Sequence, residues 1–208
     1  MIYYISDLHF GHENVLRMDN RPFASIEEMD AALIRLWNER VTDADEVYIL
    51  GDFAYRNGYT ANWYLRQLKG QKHLIIGNHD RHTLQDESAM KLLLSVEKMT
   101  FVSDQGRNVS LCHFPIAEWN GKRHGGYHVF GHLHGRRDEV YQFMSRFDQA
   151  LNAGCMINGY RPVTLDELME NNRLFRQEDT HEACDDSSAR FGGGSTNDCM
   201  QVAWRGRL

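Results

Sequence analysis

The stretch Lys72-His73-Leu74-Ile75-Ile76-Gly77-Asn78-His79-Asp80 decides the fold class, because a buried strand ends within it and leads into a polar loop. An apolar run of strand length followed by Gly-Asn is typical of a strand terminus. The carboxyl ends of parallel strands are where α/β proteins collect their chemistry. Asn78 offers a neutral oxygen ligand, His79 can carry a proton, and Asp80 can orient an imidazole. The stretch therefore predicts a functional site at one edge of a sheet.

Other polar motifs also follow predicted strands, which are recognised by their β-branched and aromatic residues. An isolated Asp-x-His is more often a pair of surface residues. His-x-His between two glycines, however, favours a metal site, because the glycines indicate a backbone held close to a neighbour. The motifs are Asp7-Leu8-His9 after residues 2–6, Gly51-Asp52 after 47–50, His113 after 107–112 and Gly131-His132-Leu133-His134 after 127–130.

The order of the predicted elements indicates an α/β fold. Alternating strands and helices in the first half favour parallel pairing, with residues 2–6 as a central strand. Residues 100–104 and 107–112 are typical of a hairpin, which favours a mixed sheet in the second half. Residues 151–159 are predicted to form a last strand and turn. Helices are predicted at 26–40, 61–69, 86–98 and 164–174, the first and last opened by the capping boxes Ser25-x-x-Glu28 and Thr164-x-x-Glu167.

Length and composition bound the class of protein. The 208 residues suit one domain, which we place at 1–176, followed by a loosely ordered acidic and Gly-rich tail at 177–208. The four cysteines show no Cys-x-x-Cys spacing, no signal peptide is apparent, and no apolar stretch approaches the ~20 residues of a membrane helix. These features favour a cytoplasmic protein without membrane contact. The net charge of -6 argues against stable binding of duplex nucleic acid, but not against a nucleotide substrate.

The candidate ligands at strand ends are too many for one tetrahedral zinc, and they suit two adjacent cations that share a carboxylate. Asp52 is the natural bridge. Mixed carboxylate and imidazole ligation favours Mn, Fe, Zn, Co or Ni over Mg or Ca, and we expect two divalent ions with Mn preferred. Such a pair predicts phosphate-ester hydrolysis by a metal-bridged hydroxide. The ligands are Asp7, His9, Asp52, Asn78, His113, His132 and His134.

Phosphate-ester hydrolysis also needs a proton for the leaving oxygen. His79, steered by Asp80, is predicted either to donate that proton or to bind a phosphoryl oxygen. His12 either contacts substrate or is an exposed loop residue. The aromatic loop at residues 53–60 either lines a substrate pocket or covers the sheet end.

Together, the motifs in residues 2–135 resemble those of the calcineurin-like metallophosphoesterase superfamily. The resemblance implies a four-layer α/β/β/α sandwich of two mixed sheets flanked by helices. The segment Ala153-Gly154-Cys155-Met156 departs from the Val-Gly-x-Asp of related chains, which affects local packing but no ligand. By the resemblance, His79 is the catalytic histidine, one metal is held by Asp7, His9, Asp52 and His134, and the other by Asp52, Asn78, His113 and His132.

The sequence thus predicts a dinuclear metal-dependent phosphoesterase with a phosphorylated small molecule or nucleotide as substrate. A small body without a large cap insertion slightly favours phosphodiesters, such as cyclic nucleotides or nucleic-acid ends, over phosphomonoesters. Two alternatives stay open. One is a non-catalytic metal-binding scaffold for a protein partner, and the other is a mononuclear structural metal protein.

Overall fold

Eight strands form two four-stranded sheets in residues 1–56 and 58–185, the part of the chain that the structure, a computed structural model, describes. Within each sheet the strands lie side by side in chain order. The first sheet contains β1 (Ile2–Ile5), β2 (Glu46–Ile49), β3 (Gln71–Ile75) and β4 (Leu93–Glu97). The second contains β5 (Met99–Asp104), β6 (Arg107–Cys112), β7 (Tyr127–Phe130) and β8 (Ala150–Asn152).

Helices connect and flank the strands. Both predicted capping boxes are formed: Ser25 Oγ accepts the Glu28 N–H at 3.2 Å, and Thr164 Oγ1 accepts the Glu167 N–H at 3.4 Å. No helix of the described residues is both long enough and apolar enough to cross a membrane. The helices are α1 (Glu13–Met18), α2 (Ile26–Asn38), α3 (Ala61–Gln67), α4 (Arg81–Gln85), α5 (Glu87–Met90), α6 (Glu139–Met144) and α7 (Leu165–Asp185), with short 3-10 helices at Lys122–His124 and Cys155–Asn158.

The strand directions follow the predicted division into two halves. β1 to β4 run parallel, whereas in the second sheet β5 is antiparallel to β6 and the other pairs are parallel. The second sheet is therefore mixed, and in the first sheet the antiparallel element is a bridge between Tyr4 and Val163. β1 was expected to be central but lies at the edge of its sheet. Its outer backbone is satisfied by Val163, which exchanges hydrogen bonds of 2.8 and 3.1 Å with Tyr4.

Three apolar clusters define the four layers. The outer face of the first sheet packs on α2 and α3 through residues such as Ile49, Leu33 and Leu65. The inner faces of the two sheets meet around Tyr4, Leu50, Ile75, Val109, Leu111, Val129 and Leu151. On the outer face of the second sheet, Phe130 and Ala150 pack against Tyr141 and Met144 of α6. The α/β/β/α sandwich is confirmed.

Two predicted elements are wrong. Residues 86–98 were expected to form one helix, but α5 ends at Met90 and β4 follows, because residues 93–97 pair with β3 in the order Leu74 to Val96 and Ile75 to Glu97. Pairing along an open sheet edge outweighs a helix-like apolar spacing. The last helix continues past 174 to Asp185, so residues 177–185 are helical and not a loose tail. Residues 186–208 lie outside the described residues.

Candidate metal centre

Polar residues that follow the strands turn back sharply over the strand ends. Five of them have a positive φ between 52° and 69°, a left-handed conformation that non-glycine residues adopt rarely. Such conformations cost about 1–3 kcal/mol each and persist only where the surroundings fix them. Here each one directs a side chain to the carboxyl edge of the sheets. These residues are Asp7, His9, Asp52, His132 and His134.

Four side chains form a first group, which we call group one: Asp7, His9, Asp52 and His134. One ligand atom from each lies within 4.8 Å of all the others. The His9 and His134 Nε2 atoms are 3.2 Å apart, the His134 Nε2 is 3.6 Å from Asp7 Oδ1, and the His9 Nε2 is 3.6 Å from Asp52 Oδ2. Carboxylate oxygens and imidazole nitrogens at this spacing fit a divalent transition metal.

A second set, group two, contains Asp52, Asn78, His113 and His132. The amide oxygen of Asn78 lies 3.0 Å from His113 Nε2 and 2.9 Å from His132 Nδ1. His113 Nδ1 donates to the Leu50 carbonyl at 2.7 Å, which leaves Nε2 facing the group. A ring fixed in this way by a backbone carbonyl is typical of metal-binding histidines.

Asp52 joins the two groups through one oxygen. Its Oδ2 lies 3.6 Å from His9 Nε2 of group one and 3.6 Å from His113 Nε2 of group two. Its Oδ1 accepts the backbone N–H of His79 at 2.8 Å. The two groups are therefore neighbours with a common carboxylate.

Burial leaves the Asp7 carboxylate of group one in need of positive charge. Asp7 is fully buried, and desolvation raises the pKa of its carboxyl although His134 and His113 act in the opposite direction. Desolvation also lowers the pKa of His9 well below its usual value, and His134 adds to that effect. Buried charges in proteins are normally paired or bound to metals, and a neutral imidazole is the form that binds a metal. The donor set thus fits a bound cation.

His134 is oriented by a carboxylate that the sequence analysis did not identify. Asp19, the residue after α1, accepts from His134 Nδ1 at 2.6 Å. Burial would lower the pKa of His134, but its hydrogen bond to Asp19 and the nearby Asp7 charge raise that pKa overall. Arg21 is 4% exposed and holds Asp19 through bonds of 3.2 and 3.1 Å. The same guanidinium donates to the carbonyls of Asp7 and Leu8 at 2.8 and 3.0 Å.

Two glycines allow the strand ends to approach one another. A Cβ on Gly51 would lie 2.4 Å from His113 Nδ1, and one on Gly77 would lie 2.4 Å from Asp52 Oδ1. The backbone at these positions therefore packs directly against candidate ligands, which explains the Gly-Asp and Gly-Asn pairs of the sequence.

The two residues of the predicted catalytic pair, Asp80 and His79, have different surroundings in the structure. Asp80 is fully buried, and its carboxylate accepts the backbone N–H groups of Asp52, Phe53 and Gly77 at 3.0, 2.8 and 2.7 Å. These hydrogen bonds fix the loops that carry Asp52 and Asn78, and the steering of His79 by Asp80 stays a prediction. The side chain of His79 is exposed, and its ring centroid lies 5.4 Å from that of His9.

His12, in the segment that follows β1, is not an exposed residue. His12 is 9% exposed and its ring stacks on Tyr55 with centroids 3.9 Å apart. Tyr55 belongs to the aromatic loop of residues 53–60, so this loop borders group one.

The structure brings together the seven predicted ligands and His79 at one sheet edge, and it adds Asp19 and Arg21. These two lie in a turn between helices, where residue type and spacing carry no signal of a functional role. The segment Ala153-Gly154-Cys155-Met156, which departs from the pattern of related chains, supports the site through Ser6, the residue before Asp7. Ser6 exchanges backbone hydrogen bonds of 2.8 and 2.9 Å with Ala153 and Cys155.

The chain is similar in sequence or in fold to several known proteins. An uncharacterized protein of Methanocaldococcus jannaschii, MJ1445, is 32% identical over 180 residues, which cover 84% of this chain and 94% of the relative. The Gene 66 protein of Mycobacterium phage D29 is 31% identical over 160 residues, covering 65% and 79% of the two chains. Among solved structures, the protein of unknown function AQ665 from Aquifex aeolicus has a TM-score of 0.63 at 24% identity, covering 82% of this chain and 98% of that one, and supports the fold.

The family assignment rests on a match along most of the chain. Residues 1–190 match the model of the calcineurin-like phosphoesterases. This match extends over both sheets and over every candidate ligand. The chain is therefore a metal-dependent hydrolase and belongs to the calcineurin-like phosphoesterase family.

Proposed function

We propose that the protein hydrolyses phosphodiesters at a centre of two divalent cations that share Asp52. The observation that carries the proposal is the position of Asp52 Oδ2, 3.6 Å from one imidazole of each group. A mononuclear structural site would have no use for a second set of converging donors. Group one would hold one cation and group two the other, with Mn²⁺ preferred because carboxylate, amide oxygen and imidazole are mixed.

The cations would supply positive charge for phosphoryl oxygens and a water molecule of lowered pKa. The residues of the chain supply position and proton transfer. Asp19 and Leu50 fix the rings of His134 and His113, and Asp80 fixes the backbone of Asp52. His79 is held through its backbone N–H by Asp52, while its exposed ring is free to meet substrate. We assign His79 to donation of a proton to the leaving oxygen or to binding of a phosphoryl oxygen.

The open rim of the site supports a diester substrate. Asn78 and His79 are both exposed, so a phosphate with two substituents has room on the solvent side. Phosphomonoesters are the second candidate class. The net charge of -6 argues against stable duplex binding, and the free Cys112 and Cys155 support a cytoplasmic location. A scaffold without catalysis would not need His79 beside a complete ligand set.

The proposal is tested by hydrolysis of bis(p-nitrophenyl) phosphate and p-nitrophenyl phosphate with Mn²⁺, Ni²⁺, Co²⁺, Zn²⁺ and Mg²⁺. We expect the diester to be the better substrate. Asp52→Asn should abolish turnover, and His79→Gln should keep both metals but lower kcat about 100-fold or more. His82→Gln, an exposed histidine of α4, is the matched control and should behave as wild type. Wild-type turnover by Asp52→Asn would contradict the shared carboxylate.

A further inference from the structure

An aromatic side chain stands at the rim of group two without a place in the core. Phe114 follows the candidate ligand His113 directly and is 45% exposed. Its ring centroid lies 5.0 Å from that of His113 and 4.8 Å from that of His132, in edge-on contacts with interplanar angles of 77° and 62°. A large apolar ring therefore borders the proposed phosphate site.

The position of this ring is fixed by the chain around it. Pro115 follows Phe114, and a residue before proline is restricted to extended backbone conformations. His113, which precedes it, is fully buried and bonded to Leu50. Phe114 is thus held at the site by rigid neighbours. Because its side chain has no polar atom, it can contribute to substrate binding only through apolar contact or ring stacking.

The aromatic side chain at the opposite rim of the site, Tyr55, already stacks on another ring of the protein. On the side of group one, the Tyr55 ring is already stacked on His12, with an interplanar angle of 15°. One face of Tyr55 is thus covered by the protein itself. Among the described residues, the ring of Phe114, on the side of group two, has edge-on ring contacts and no stacked one.

We propose that Phe114 is a stacking platform for a nucleobase, so that the substrate is a nucleoside phosphodiester. The inference rests on the proposed function and names its substrate class. In a nucleotide a single sugar joins the base to the phosphate, so a phosphate at the metal centre leaves its base close to the rim. Stacking of a base on an aromatic side chain accepts any of the bases, because each has a planar face. Phe114 therefore favours substrates that carry a base, without distinguishing one base from another.

The test compares dithymidine monophosphate with the same diester in which both bases are replaced by hydrogen. With Mn²⁺ present, the wild type should hydrolyse the base-containing diester with a kcat/KM roughly tenfold higher. Phe114→Ala and Phe114→Leu should lose this preference, and Phe114→Tyr should keep it. Phe101→Ala is the matched control, because Phe101 is 58% exposed on β5 and belongs to neither group.

The outcomes separate this inference from the proposed function. Equal kcat/KM values for the two diesters, or a preference that is unchanged in Phe114→Ala, would overturn the role of Phe114 as a platform. Hydrolysis of bis(p-nitrophenyl) phosphate would in that case still support the proposed phosphodiesterase function. A preference retained in Phe114→Leu would also overturn it, since leucine offers apolar contact but no planar ring. Absence of hydrolysis of all diesters would overturn both. Metal content, measured in each variant, should equal that of the wild type.

Discussion

Asp19 Oδ2 lies 2.6 Å from Nδ1 of His134, and the contact ties the end of α1 to one of the candidate metal ligands. The carboxylate fixes the ring so that Nε2 faces Asp7 and His9. Arg21 in turn fixes the carboxylate. When a carboxylate binds the far side of a metal-binding histidine, it fixes the orientation of the ring and makes the ring a stronger ligand.

Asp19→Asn should therefore weaken metal binding without unfolding the protein. We expect the affinity for Mn²⁺ to fall about 10- to 100-fold, because the amide binds the imidazole N–H less strongly and no longer favours the metal-binding orientation. Titration calorimetry measures it. Asp148→Asn, a change at a carboxylate that is 98% exposed, should leave the affinity unchanged. An unaltered affinity in Asp19→Asn would show that His134 needs no outer partner.

Gly77→Ala should damage the centre through sterics alone. A Cβ at this position would lie 2.4 Å from Oδ1 and 2.6 Å from the backbone nitrogen of Asp52, so the shared carboxylate must move. A displacement of this kind should cost about 100-fold in kcat/KM. At Gly135 the added Cβ would approach only Met156, at 3.5 Å, so Gly135→Ala should be tolerated. Comparable activities of the two variants would contradict the close approach of the strand ends.

Asp80→Asn separates a structural role from a catalytic one. Both carboxylate oxygens accept backbone N–H groups, and an amide offers only one acceptor oxygen. At least one buried N–H would lose its partner, which should lower the free energy of unfolding by about 1–3 kcal/mol. Urea denaturation of the metal-free protein measures this loss. Unchanged stability together with a lost rate would instead support the predicted catalytic role of Asp80.

The buried His128, which lies away from the metal centre, should make the stability of the protein depend on pH. Its ring is fully buried, donates to Ser110 O and accepts the Ile116 N–H, and desolvation lowers its pKa to about 4. The unfolded chain therefore binds a proton at higher pH than the folded one. This contribution to stability is complete above about pH 6.5 and is lost as the pH falls toward 4.

The measurement compares the metal-free wild type with His128→Gln at pH 7 and pH 4.5. The wild type should lose up to about 3 kcal/mol more free energy of unfolding than the variant over this range. His124→Gln, at an exposed histidine, should follow the wild type. Parallel pH profiles for wild type and His128→Gln would show that His128 is not held neutral.

The sequence was sufficient to predict that the candidate ligands directly after strands come together. Asp7, Asp52, Asn78, His113 and His132 lie at the ends of strands in the two packed sheets, so the α/β pattern alone predicts that they converge. The role of Asp19 was not predicted, because its position depends on how α1 packs and no local sequence pattern encodes that packing. Asp80 was assigned to His79, its neighbour in sequence, but the turn directs its carboxylate to the backbone of Asp52. β4 was missed because only pairing with β3 makes residues 93–97 a strand.

The central claim is that Asp52 is common to two cations, and anomalous diffraction from crystals of the Mn²⁺-loaded protein tests it most directly. We predict two manganese peaks with Asp52 as a shared ligand, one peak also bound by His9 and His134 and the other by His113. A single peak, or two peaks without Asp52 in common, would contradict the account.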